Sequence, residues 1–267
     1  MLIIGEKINS SIPSTAAAIE KRDADYIRRL ARDQVEAGAG MIDVNAGTFV
    51  GEEVALLKWL INLVQEVTDV PLCVDSPNPV ALKAALPLHR GKALVNSISL
   101  EAGRYESVLP VVTESGASVV ALCMDDRGIP NDAQGRIDIA CRLADKLGAE
   151  GISTGDIYFD VLVQPISVND TFGAAAIDAV KGIRRRIPGA HTTCGLSNVS
   201  FGLPERKLLN SAFAVTLICA GMDTLIIDPL DRRIMAVIAA ARAVSGQDEF
   251  CDEYLRAYRN GRLKVAS

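Results

Sequence analysis

Eight short apolar runs recur along the chain, each followed by a longer stretch with helical periodicity. The runs are Leu2–Gly5, Met41–Val44, Leu72–Asp75, Ala93–Asn96, Ser118–Cys123, Ile157–Asp160, His191–Leu196 and Thr224–Asp228. Between them, Glu52–Thr68 sets Val54, Leu57, Leu60, Ile61 and Val64 on one face at the 3.6-residue period. Its acidic start, Glu52 and Glu53, complements a helix dipole. Gly38, Gly116 and Gly221 fall where helical patterns stop and strands begin. No Pro/Ser-rich linker interrupts the alternation, so residues 1–267 read as one (β/α)8 TIM-barrel domain. A doubly wound open sheet is the alternative, but it usually carries a glycine-rich turn after its first strand. Here Gly5 is followed by Glu-Lys-Ile-Asn. Residues Asp248–Asn260 predict an extra C-terminal helix.

Composition narrows the reading. Hydrophobic residues make up 49% of the chain but aromatics only 4%, a balance that suits barrel strands and small-residue helix packing better than an aromatic-rich sandwich. The net charge of −5 argues against nucleic acid as the main partner. The run Arg184-Arg185-Arg186 reads as a solvated helix face, with an anion site as the lesser alternative. No apolar run approaches the ~20 residues of a membrane span, and MLIIGEKINSS lacks the pattern of a signal peptide. The expectation is a soluble, cytoplasmic protein. The six cysteines form no CxxC pair and read as buried free thiols rather than metal or redox groups. With His89 and His191 the only histidines, chemistry resting on a histidine base or a zinc ion is not expected.

In a barrel of this kind the active site forms where strands end. Those positions hold Glu6 and Asn9, Asp43 and Asn45, Asp75, Asn96, Asp125 and Asp126, Asp160, Ser197 and Asn198, and Asp228. One Asp at a strand end usually caps a helix or forms a turn. Polar residues at all eight ends predict a site rich in acceptors and poor in cations. Such a site suits a flat heterocycle that presents N–H donors, such as a pterin, whose 2-amino group and ring N–H lie side by side. A divalent cation such as Mg²⁺ also favours carboxylates, and spacing alone leaves it open.

IIGEKIN at the start, IDVNAG at Ile42–Gly47, LCVDS at Leu72–Ser76, VNSIS at Val95–Ser99 and GLSNVS at Gly195–Ser200 resemble the pterin-binding methyltransferase family. The family includes methyltetrahydrofolate:corrinoid protein methyltransferases and the folate domain of cobalamin-dependent methionine synthase; dihydropteroate synthase is a more distant relative. The resemblance covers nearly the whole chain in the family's order, and GLSNVS is its most specific segment. It implies a dihydropteroate synthase-like barrel that moves a methyl group between N5 of tetrahydrofolate and the cobalt of a corrinoid protein, in either direction. By position it implies that Asp75, Asn96 and Asp160 bond the pyrimidine edge and that Asn198 lies near N5 and the methyl group. Arg206 matches a position on the seventh βα loop, where it touches the aminobenzoyl part of folate or caps the loop. Glu6, Asp43, Asn45, Met124, Gly195 and Ser197 complete the expected lining. Two segments depart from the pattern. Met124-Asp125-Asp126-Arg127-Gly128 replaces the family's Asn and Lys before the glycine, and Asp160-Val161-Leu162 lacks a proline found after the Asp in relatives.

For the chemistry, Asn198 is the expected catalytic residue, holding the N5 proton as the C–N bond forms or breaks; a helix N-cap is its bland alternative. Water or a buried carboxylate, Asp75 foremost, is the expected source of the proton. No Asp-x-His-x-x-Gly segment is present, so the corrinoid is expected on a partner protein, with no intrinsic metal in this chain. Homodimers are common in the resembling family, and the helix at Ile234–Val244 suits either an interface or a core-facing role. The rival readings are a dihydropteroate synthase, which needs cations or Mg²⁺ for a pyrophosphate leaving group, and a non-catalytic subunit that docks a corrinoid protein.

Overall fold

The computed structural model describes residues 1–264. In chain order its elements are β1 (Leu2–Asn9), α1 (Pro13–Glu20), α2 (Ala24–Glu36), β2 (Met41–Asn45), α3 (Glu53–Gln65), β3 (Leu72–Asp75), α4 (Pro79–Ala85), β4 (Leu94–Leu100), α5 (Ala102–Ser115), β5 (Ser118–Asp125), α6 (Ala133–Ala149), β6 (Ile157–Asp160), α7 (Phe172–Arg186), β7 (His191–Thr193), α8 (Arg206–Cys219), β8 (Thr224–Ile227), α9 (Arg232–Val244) and α10 (Asp252–Arg259). The strands run parallel in the order β7-β6-β5-β4-β3-β2-β1-β8. The two ends of the sheet meet where the Ile226 N–H donates to the Cys194 carbonyl at 3.1 Å and Gly195 bridges Ile226. The sheet therefore closes, as the alternation predicts.

Side chains of a strand alternate between its faces, and this sorts the core in two. Ile3, Ile42, Val44, Leu72, Val74, Val95, Val119, Phe159 and Leu225 join the layer between strands and helices. Ile4, Met41, Cys73, Leu94 and Val120 form a second cluster inside the barrel, with Leu2, Leu122, Tyr158 and Ile226 against it. One step of the two-residue repeat beyond the inner residues brings Glu6, Asp43, Asp75, Asn96, Asp160 and Asp228. The lumen thus changes from apolar to polar over a single layer. On α3 the buried stripe is Leu56, Leu57, Leu60, Ile61, Leu63 and Val64, each such side chain contributing about 1.5–3 kcal/mol on burial.

Gly38, Gly116 and Gly221 end their helices with φ of 113°, 64° and 102°, the left-handed geometry expected at those stops. Several expectations are corrected. β1 continues past Gly5 to Asn9 through a register shift between Gly5 and Ile8, and β4 continues past Asn96 to Leu100. β7 ends at Thr193, and Leu196–Ser200 coils into a 3₁₀ turn. Cys194 and Leu196 are buried, so their apolar pattern mimics a longer strand. Glu53 stands in the first turn of α3 as expected, and it is also buried and accepts a hydrogen bond from Ser76 Oγ at 2.5 Å. Cys219 and Cys251 are exposed rather than buried, because they lie at the end of α8 and in the turn before α10. Arg184, Arg185 and Arg186 occupy the exposed last turn of α7, where Arg184 pairs with Asp223 at 3.0 Å and Arg186 with Asp138 at 3.5 Å. Among the described residues, no helix is long and apolar enough to cross a membrane.

Candidate active site

Strand register sets Asn9, Asn45, Asp75 and Asn96 side by side across β1 to β4. Asn45 is fixed at the centre of this row. Its Oδ1 accepts from Ser10 Oγ at 2.8 Å and from the Gly47 N–H at 2.9 Å, so its Nδ2 faces Asp75 and donates to Oδ2 at 2.9 Å. Burial raises the Asp75 carboxyl to about 6, held back by the Asn45 bond and the Arg104 charge. Asp43 lies one layer deeper and is buried, and its Oδ1 has no hydrogen-bond partner. Burial and the neighbouring Asp75 charge push its pKa well up, against bonds from Cys73 and Asn96. A buried acid in such surroundings stays neutral, because ionising it without a partner costs several kcal/mol.

Across the lumen, Asp160 ends β6. Its Oδ1 accepts from the Leu162 N–H at 2.7 Å, and Leu162 sits at φ 54°. Burial raises Asp160 to about 6, opposed by the Leu162 bond and the charge of Arg136. Arg136, fully buried on α6, donates to the Pro130 and Val161 carbonyls at 3.0 and 2.9 Å and to Gln164 Oε1 at 2.9 Å. Arg104 on α5 likewise ties the β3 and β4 loops together, donating to the Ser76 and Ser97 carbonyls at 3.0 and 2.9 Å.

The remaining wall is built by β7, β8 and β1. Asn198, in the 3₁₀ turn after β7, is exposed, and its side chain makes no hydrogen bond among the described residues. It caps no helix. Its Nδ2 lies 3.2 Å from where a Cβ on Gly195 would stand, so the glycine gives it room to fold back over the strand end. Arg206, the first residue of α8, donates to the Ser197 carbonyl at 2.8 Å and to Ser200 Oγ at 3.1 Å, and so ties down the loop. Asp228 at the end of β8 pairs with Lys7 at 3.1 Å. Glu6 beside it is partly buried; burial and the Asp228 charge raise it to about 7, against Lys7 and Arg206.

Not every expected strand-end residue joins this group. Asp125 is held by Arg127 and Arg142 at 2.9 and 3.3 Å, and the Arg127 bonds lower it to about 2. Asp126 accepts from the Ala102 N–H at 3.1 Å, and Asn9 from the Ser11 N–H at 2.9 Å; both are turn and helix-end formers. Met124 is partly buried two residues beyond Leu122. Sequence reasoning missed Arg104 and Arg136, which stand in no quoted motif, and Lys7, which stands in IIGEKIN but was given no role. It also missed Gln34, buried on α2, which accepts from the Lys7 N–H at 3.0 Å. A Cβ on Gly5 would meet its Oε1 at 2.5 Å, so the glycine of GEKIN is a matter of space. Among the described residues, no group of three or more His, Cys, Asp or Glu is arranged to hold a metal ion. A cavity of about 670 Å³ on the flank, between α2, α9 and α10, includes none of the strand-end residues named above.

Comparison with known proteins bears on this arrangement. The family of pterin binding enzymes matches residues 5–228. The chain is 38% identical over 265 residues, 98% of each protein, to methylcorrinoid:tetrahydrofolate methyltransferase of Eubacterium limosum. It is 31% identical over 240 residues to methionine synthase of Mycobacterium tuberculosis, covering 85% of this chain and 20% of that longer protein. Among solved structures, a dihydropteroate synthase of Coxiella burnetii in complex with pteroic acid superposes with a TM-score of 0.70 at 16% identity, over 92% of this chain and 94% of that one. The Xanthomonas albilineans dihydropteroate synthase gives 0.68 at 18%, over 93% and 92%. At such identity these two structures establish a common fold alone. With a closed barrel, polar strand ends and a match that runs from the first strand to the last, the chain belongs to the family of pterin-binding enzymes.

Proposed function

We propose that this protein moves a methyl group between N5 of tetrahydrofolate and the cobalt of a corrinoid carried by a partner protein. The carrying observation is 38% identity, over 98% of both chains, to a methylcorrinoid:tetrahydrofolate methyltransferase. The geometry supports it residue by residue. Asp75 and Asp160, each at about 6, are mostly ionised at neutral pH and accept the paired N–H groups of a pyrimidine edge. Asn96 completes that edge, and Asn45 orients Asp75. Neutral Asp43 lies beneath, while Met124, Gly195 and Ser197 shape the walls and Arg206 holds the Asn198 loop. Asn198 hydrogen-bonds at N5, where contact strengthens as the bond to the methyl group changes and so lowers the barrier. The corrinoid, as the second substrate, approaches from the open side of the mouth.

A dihydropteroate synthase reading fits less well. It calls for cations grouped to bind pyrophosphate, and Arg104 is engaged with the Ser76 and Ser97 carbonyls while Arg206 donates to Ser197 and Ser200. A docking subunit has no use for four carboxyls, Glu6, Asp43, Asp75 and Asp160, raised by burial at the strand ends. Calorimetric titration with methyltetrahydrofolate, with no metal added, tests the reading. Micromolar binding abolished in Asp160→Ala supports it, and loss of the cob(I)alamin absorbance on mixing with enzyme and methyltetrahydrofolate completes it. No binding at all would sink it. The proposal extends to a cytoplasmic homodimer, checked by sedimentation; Ile234, Ile238 and Ala241 of α9 face the core, so an interface there uses the helix's other side.

A further inference from the structure

The register of β1 and β8 pairs Gly5 with Ile227, so Glu6 and Asp228 follow side by side, both one two-residue step beyond inward residues. The two carboxyls are treated unequally. Asp228 takes the Lys7 ammonium at 3.1 Å on Oδ2 and the Leu230 N–H at 2.9 Å on Oδ1. Glu6 takes no hydrogen bond among the described residues, although Lys7 is its immediate neighbour in the chain. The charged groups facing it are Asp228 on β8, Lys7 on its own strand, Arg206 at the start of α8 and Asp43 on β2. Burial and the neighbouring Asp228 charge both disfavour the charged form of a carboxyl that has no hydrogen bond of its own, and Lys7 and Arg206 only partly offset them. Burial first, and Asp228 second, push the Glu6 carboxyl up to about 7. Because Ile226 pairs with Ile4 and is bridged by Gly195, β8 alone separates the Glu6 strand from the segment that leads to Asn198.

We propose that Glu6 is the general acid–base of the methyl transfer, exchanging a proton with N5, and that the Lys7–Asp228 pair sets its readiness to do so. The proposal rests on the methyltransferase reading above. Toward folate, the N5 lone pair forms the N5–C bond, the Co–C bonding pair stays on cobalt, which goes from Co(III) to Co(I), and the N5 proton passes to the Glu6 carboxylate. In reverse, protonated Glu6 returns that proton as the N5–C bond breaks, so tetrahydrofolate leaves as a neutral amine. Asn198 orients the N5–H; Glu6 takes and gives the proton.

Single-turnover transfer from methyltetrahydrofolate to cob(I)alamin, followed by absorbance over a range of pH, tests the role. The wild-type rate should fall as pH rises through about 7. Glu6→Gln should bind methyltetrahydrofolate within about threefold of wild type, lose roughly 10²–10³ in rate, and lose the pH dependence near neutrality. Asp228→Asn keeps an oxygen for the Leu230 N–H but removes the charge that adds to burial in raising Glu6, so its fall in rate should move to lower pH. A Glu6→Gln variant that keeps its rate within threefold, or keeps the limb near 7, overturns the proposal. So does an Asp228→Asn profile that does not move. A wild-type enzyme that transfers no methyl group overturns the methyltransferase reading itself, and the role of Glu6 with it.

Discussion

On the arc from β2 to β6, the site carboxyls are held in place: Asn45 donates to Asp75 and the Leu162 N–H to Asp160. Along β7, β8 and β1, by contrast, Asn198 and Glu6 keep their side chains free of fixed partners among the described residues. Groups that hold a flat ring gain from being aligned beforehand, since no ordering is then needed on binding. Groups that follow a proton must change partner as the reaction proceeds, and a fixed partner would compete with the substrate. The two arcs are therefore suited to two tasks, holding and moving, and each can be disturbed without the other.

The largest expected effect falls on the mobile side. Asn198→Ala should lose roughly 10²–10³ in single-turnover rate while its Kd for methyltetrahydrofolate stays within about threefold; an equal loss in both would place Asn198 with the holding groups. On the other arc Asp160→Ala removes a charge-assisted acceptor, about 2–3 kcal/mol or roughly a hundredfold in Kd by calorimetry. Affinity kept in that variant would break the division of labour. Because Asp75 and Asp160 accept as carboxylates and titrate at about 6, affinity should weaken about tenfold for each as pH falls from 7 to 5; a flat profile would mean that the pterin binds them as neutral acids. Gly195→Ala puts a methyl group 3.2 Å from Asn198 Nδ2 and should cost several-fold in rate with little change in binding.

The smallest effect is on stability, and its sign distinguishes strain from support. Burial and the Asp228 charge raise Glu6 to about 7 in the folded chain, above the ordinary carboxylate range, so the folded state binds the proton more tightly. Stability from this group is present below that range and is lost as pH rises through 7. Glu6→Gln should therefore melt about 2–4 °C higher than wild type at pH 8 and no differently at pH 4. A variant less stable at pH 8 would show that Glu6 supports the barrel instead.

Much of this was legible in the sequence because it rests on local rules. A strand fixes which side chains face inward by its period of two, so Asp75, Asn96 and Asp160 could be set in the lumen from the runs before them. The glycines at 38, 116 and 221 announced helix ends through their need for positive φ. What was hidden depends on contacts distant in the chain. Nothing in the amphipathic pattern of α6 marks Arg136 as a fully buried tie to the β6 loop, since an arginine on a helix is ordinarily solvated. Glu53 fits the helix-dipole rule, but nothing local announces that it also accepts from Ser76, 23 residues away. Asp125 was read with the other strand-end acids, but the arginine two residues later and Arg142 from α6 take it out of the site. β7 was overread because burial in a 3₁₀ turn and burial in a strand leave the same apolar signature.

The seam between β7 and β8 has a consequence of its own. β7 supplies three residues, and the join to β8 runs through Ile226 with Cys194 and Gly195. Opening a wall costs least where fewest backbone bonds must break, so the ring breathes first at this clasp, next to the loop that bears Asn198. Amide hydrogen exchange should read it as faster exchange at Ile226 than at the amides between β3 and β4. A rigid ring would meet a bulky corrinoid as a fixed rim; one that loosens beside Asn198 can spread to admit the second substrate while its grip on the first is undisturbed.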